Sequence, residues 1–316
     1  MQQRYRRGSG VGVGVALSLS VAVAVHGASP LSEAVQRGDV QAVSALLQRH
    51  VDVNAPAADG STALMWAVHR HDLPMVERLL RAGADVRRTN AYGMAALSMA
   101  AESGTAALVE RLLRAGADPN TTLPGGETAL MTAARSGDAD VVKALLTHGA
   151  QVNAKETTRD QTALMWAAAQ GRTAAVRVLL EAGADLRAQS SELKAFHKNT
   201  FIAGHKAAST TERLPMFTPF LFAVRGGQLD AARALLEAGA DVNDVGPDKT
   251  PALHIAIINA YWDLAALLVD RGADVQVESP GGTALHHIMR TRAGKFLATT
   301  SSNSLWAPEP IGTMNS

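Results

Sequence analysis

The sequence predicts an all-α solenoid of stacked helix-turn-helix repeats, about seven helix pairs and a partial eighth. Three observations predict it. Gly-Ala-Asp, or a near copy, returns at 83, 116, 149, 183, 239 and 272, in steps of 33, 33, 34, 56 and 33 residues. A Leu pair precedes it at 79–80, 112–113, 145–146, 179–180 and 235–236. A small residue recurs at Ala67, Ala100, Ala133, Ala167, Ala223 and Ala256. A fixed period of this length marks a repeat array, in which the Leu pairs supply buried bulk and the Ala sites let helices approach closely.

Residues 1–28 read as an export signal. Arg4, Arg6 and Arg7 form a positive start, and Val11 to Val25 is an uncharged run of 15 residues, short of the roughly 20 needed to span a membrane. Cleavage is expected after Gly27 or Ala28. An uncleaved anchor and a cytosolic leader are the alternatives. The precursor carries 30 Lys+Arg against 29 Asp+Glu; without those three arginines the balance is 27 against 29. The slight basicity therefore belongs to the leader, and phosphate-driven nucleic-acid binding is not expected of the array.

The array is expected over 29–290. Residues 59–86 show its unit. Asp59-Gly60 is a turn signal, and Thr62 opens a short helical pattern with Leu64, Ala67 and Val68 on one face. A break at His71-Asp72 precedes a second pattern of Met75, Val76, Leu79 and Leu80. Gly83 stands where a helix ends in a left-handed cap, and Asp85 begins the connection to the next unit. Neither helix is long enough to be stable alone, so the units must stack.

The 56-residue step exceeds the period by 23 and places an inserted loop at 187–217. Lys194, Phe196, Lys198, Phe201 and Lys206 lie in it, and its charge balance of about +3 suits an acidic partner. A tolerated loop, or a hairpin packed on the solenoid edge, is the alternative. After Thr283-Ala-Leu-His-His287 no second helical pattern follows, and 291–316 reads as an irregular tail. Either the chain is cut from a longer protein there, or the tail folds back with Trp306 docked on the exposed end.

The unit resembles the ankyrin repeat, whose Thr-Pro-Leu-His-x-Ala pattern stands here as Thr62-Ala-Leu-Met-Trp-Ala67, Thr128-Ala-Leu-Met-Thr-Ala133, Thr162-Ala-Leu-Met-Trp-Ala167 and Thr218-Pro-Phe-Leu-Phe-Ala223. Thr250-Pro-Ala-Leu-His254 carries the His with Pro one residue early, and His286 fits the same structural position in the last copy. Met or Ser often replaces that His. The resemblance covers roughly 31–290. It implies that the residue just before the recurring Ala faces the concave side: Trp66, Met99, Thr132, Trp166, Phe222, Ile255 and His287. A row of large apolar groups there would anchor a partner. Packing between neighbouring helices is the competing role for the same side chains.

No Gly-x-Ser-x-Gly elbow, phosphate loop or His-Glu-x-x-His is present, so no catalytic residue and no cofactor is assigned. Without cysteine there is no disulfide, thiol chemistry or Cys-based zinc site. His69 and His71, two apart on one helix end, point in different directions and do not make a metal site; none is assigned. Asp52, Asp85, Asp118, Asp185, Asp241 and Asp274 are read as turn residues rather than a calcium ladder. The expected function is a non-catalytic, monomeric protein-binding scaffold, periplasmic or secreted, that leaves the membrane once its signal is cleaved. The alternative is an ankyrin module of a larger exported enzyme or effector.

Overall fold

A computed structural model describes residues 29–196 and 210–292. The export segment 1–28, the insertion residues Lys198, Phe201 and Lys206, and the tail from 293 onward lie outside the described residues. Seven helix pairs run in chain order: α1 (Pro30–Arg37) and α2 (Val40–Gln48), α3 (Ala63–His69) and α4 (Leu73–Arg81), α5 (Ala96–Glu102) and α6 (Ala106–Arg114), α7 (Ala129–Ser136) and α8 (Ala139–Thr147), α9 (Ala163–Ala169) and α10 (Thr173–Glu181), α11 (Pro219–Arg225) and α12 (Leu229–Glu237), α13 (Ala252–Ile258) and α14 (Trp262–Asp270). A fifteenth helix, α15 (Ala284–Arg292), begins an eighth unit. First helices pack on first helices along the described array, and second helices on second from α4 to α14.

Local chemistry sets the helix ends. Thr62, Thr128, Thr162 and Thr218 each accept the backbone N–H three residues on, and Asp72 and Asp138 do the same for second helices. Leu79, Leu112, Leu145, Leu179 and Leu235 are all fully buried, as are the recurring alanines. Short helices thereby gain a continuous apolar core that none could make alone.

The Gly-Ala-Asp phrase has a mechanical role beyond turn geometry. In each copy that carries Asp, its Oδ1 accepts the N–H two residues on, as in Asp85 to Arg87 and Asp185 to Arg187. An asparagine then ties one unit to the next. Asn153 donates to the Gly183 carbonyl at 3.2 Å and accepts from Asp185 N at 2.8 Å. Asn54 and Asn120 make the same two bonds to the units that follow them, and Asn243 accepts from Asp274 N. Where the asparagine is missing, Arg87 reaches the Gly116 carbonyl instead.

A second tie runs through the turns between paired helices. Arg172 Nε donates to the Arg135 carbonyl at 3.1 Å, crossing the face of Gly137. Gly137 has φ +92, and a Cβ there would come within 2.5 Å of the Arg172 side chain. Glycine is required at that point for both reasons.

The insertion opens as an antiparallel hairpin, β1 (Ser191–Phe196) with β2 (Thr210–Pro215), with Lys194 opposite Glu212 in the register. Its base is fixed. Ser190 N donates to the Phe217 carbonyl, the Ser190 carbonyl accepts from Met216 N, Ser190 Oγ accepts from Phe217 N, and Ser191 N donates to the Arg159 carbonyl at 2.7 Å. Phe217 is buried in the core and belongs to the repeat that follows rather than to the arm. α9 and α11 still pack as neighbours, so the hairpin leaves the array without interrupting it.

Candidate partner-binding face

The proposed contact residues occupy one structural position. Trp66, Met99, Thr132, Trp166, Phe222, Ile255 and His287 are each the fourth residue of their first helix, α3 through α15. The cap fixes where each helix starts, and the start fixes which way the fourth side chain leaves it. The seven do not share one environment. Trp66, Met99, Trp166 and Phe222 are half-buried and packed against the core. Thr132, Ile255 and His287 are buried and present no surface. Size alone does not decide this: Ile255 and the His287 ring are covered where Met99 and Phe222 are not, so the residues on the neighbouring helices set the exposure.

The residue one turn later completes the face. His69 stands edge-on to Trp66 with ring centroids 5.7 Å apart. The Arg135 guanidinium lies 5.1 Å from the centre of the Trp166 ring, a cation–π contact between successive first helices. Arg135 is also 3.7 Å from Glu127, whose carboxylate accepts the Thr132 hydroxyl at 2.8 Å. Phe222 packs on Phe217, and Arg225 covers the other ring at 5.4 Å. Sequence reasoning weighed His69 only as a metal ligand and missed Glu127, Arg135 and Arg225. His69, Arg135 and Arg225 stand three residues after a position already singled out, on the same helix face, and that spacing would have placed them here.

The insertion residues Lys194 and Phe196 lie in β1, outside the first helices that carry the stripe. Among the described residues no cluster of three or more His, Asp or Glu is placed to hold a metal ion. His71 Nδ1 instead meets Thr105 Oγ1 at 3.1 Å. Nor is any described helix long and apolar enough to cross a membrane.

At the last helix the resemblance-based expectation shifts by one residue. His286 holds the motif's position but is exposed, with its ring against Thr283 Oγ1 at 2.8 Å. No described helix follows to cover it. His287 is buried instead, 5.0 Å from His254 between ring centroids. Burial, and then His254, Arg290 and His286, push the His287 imidazole down to about 4; burial also lowers His254.

The family profile described as "Ankyrin repeats (3 copies)" matches residues 18–90, 97–190 and 200–279. The chain belongs to the ankyrin repeat family. Among solved structures, the human ASB11 ankyrin repeat domain is similar with TM-score 0.60 and 23% identity, over 78% of this chain and 99% of that one. The ankyrin repeat domain of Bcl-3 is similar with TM-score 0.59 and 27% identity, over 76% of this chain and 99% of that one. A comparison with curated proteins finds no match. Ankyrin repeats mediate protein–protein interaction, and the array described above is of that kind.

Proposed function

We propose that this ankyrin array is an exported, non-catalytic scaffold that holds a protein partner on its concave first-helix face. Trp66, Met99, Trp166 and Phe222 are the anchors. The observation that carries the reading is their shared position: large apolar groups, each half open, at one register position of α3, α5, α9 and α11, with buried Thr132 between them on α7. Such groups lose little conformational freedom on binding and bury much area. Arg135 and His69 at their edges supply polar contacts. The signal at 1–28 delivers the array to the periplasm or outside the cell, where it acts as a monomer, free of membrane and nucleic acid. The 187–217 arm adds contacts to an acidic surface.

Photo-crosslinkers at positions 66 and 166 test the face. One partner should be captured from both positions, and in a separate pull-down without crosslinkers Trp66→Ala with Trp166→Ala should abolish its binding to the folded protein. Unchanged capture with a lowered melting temperature would assign both side chains to packing alone.

A second reading has an observation of its own. Trp262, Val269, Leu285 and Met289 are 46%, 47%, 64% and 64% exposed and form an apolar end face beside α14 and α15. In that reading the array is a module of a larger exported enzyme or effector, whose other part covers this face. Hydroxyl-radical labelling of the protein isolated from its source decides it. Labelling of Leu285 and Met289 as strong as in the isolated array removes the second reading.

A further inference from the structure

First helices α13 and α15 close on each other through two histidines. His254 is fully buried, His287 is 3% exposed, and the rings are tilted by 49°. His287 Nε2 meets Ser279 Oγ at 3.0 Å. The other three ring nitrogens have no hydrogen-bond partner among the described residues. Neutral imidazoles tolerate such a place at some cost; a protonated one must shed its hydration with nothing in return.

The rest of the array avoids this arrangement. Met65, Ser98, Met131, Met165 and Leu221 are the third residues of their first helices, where α13 has His254. None of them titrates. From α3 to α13 the fourth position is likewise free of ionisable groups, before His287 on α15.

Among the described residues the surroundings hold no counter-ion for a proton. On α15, Arg290 and His286 act on His287, as does His254, and all three oppose its charge. Arg225 is the charged residue of α11, and Asp263 and Asp270 on α14 are exposed. The nearby turns carry Asp244, Asp248, Lys249, Asp274 and Glu278. None of these carboxylates is among the groups that shift either ring.

We propose that the His254–His287 contact is an acid-operated release, through which α15 leaves the array while the preceding helix pairs stay folded. The direction follows from proton uptake. Released, each imidazole titrates near its ordinary 6.5; docked, burial holds His287 at about 4. Between those values the released state binds more protons, so falling pH favours it, and the docked end is fully favoured only above 6.5.

Hydrogen–deuterium exchange of the full chain, corrected for intrinsic rates, reads the release. Moving from about pH 7.5 to about pH 5 should lower protection over 279–292 on the order of thirtyfold from His287 alone, and leave α5 to α10 unchanged. His254→Met and His287→Met introduce a side chain the array already uses at those positions in Met65 and Met99. Each single variant should keep only the loss due to its remaining histidine, and the double variant should retain protection at the lower pH. Equal protection of the parent chain at both values overturns the proposal. So does a loss that persists in the double variant, or one that spreads evenly over the array.

Discussion

Replacing Asn153 by Ala removes both bonds of one inter-repeat tie, the donation to Gly183 O and the acceptance from Asp185 N. Net hydrogen bonds contribute about 0.5–1.5 kcal/mol each, and Asn153 is exposed, so water can resolvate the freed groups. The lower half of that range applies, giving about 1–2 kcal/mol for the pair. In a repeat array the loss falls mainly on one junction, between α9–α10 and the unit before it. Exchange at the Asp185 amide is therefore the sharpest assay, together with the urea midpoint. About 1.4 kcal/mol corresponds to tenfold faster opening. Asn153→Asp separates the two bonds: it keeps an acceptor for Asp185 N but turns a carboxylate toward the Gly183 carbonyl. It should preserve Asp185 protection while still lowering the midpoint. Unchanged protection and an unchanged midpoint in Asn153→Ala would refute the tie, and the asparagines would be turn residues only.

Leu145→Ala, in a fully buried site, should cost about 2–5 kcal/mol by urea denaturation, whereas Val269→Ala at 47% exposure should cost under about 1 kcal/mol. Gly137→Ala forces a side chain into φ +92 and against Arg172, which should cost about 1–2 kcal/mol and release Arg172 from the Arg135 carbonyl. Phe217→Ala should destabilise by about 3–5 kcal/mol, since that ring is core, while excising 197–209 should leave the helical circular dichroism and melting temperature of the array unchanged. An array that unfolds on that excision would place the arm in the core.

The period made the architecture legible, because each turn, cap and Leu pair recurs at a site with a single physical job. What it could not supply was contact between sites a period apart. Asn153 looks like any polar turn residue until the Gly183 carbonyl is seen above it. Exposure along the fourth helical position was also hidden. Thr132 and Trp166 share a register, yet one is covered and the other stands partly open, because coverage depends on side-chain length and on the neighbouring helix. His286 and His287 show the same limit. Their pattern identifies a buried position, but a third-position side chain such as His286 is covered only where another first helix packs on it, as α15 does on His254. The insertion was locatable from its length and a hairpin was among its readings, but which residues pair was not legible, since strand residues such as Thr210 and Thr211 carry no alternating apolar pattern.

The hairpin between α9 and α11 also sets how the array assembles in time. Adjacent first helices elsewhere meet after about one period of chain, but these two meet across a step of 56 residues. Closing the longer segment costs about 0.5 kcal/mol more in chain entropy, enough to slow a growing folding front roughly twofold at that junction. A front started among the first five pairs would pause there before reaching α11. The ribosome delivers those pairs first, so the nascent chain would carry a finished N-terminal block while the remaining units are still being made.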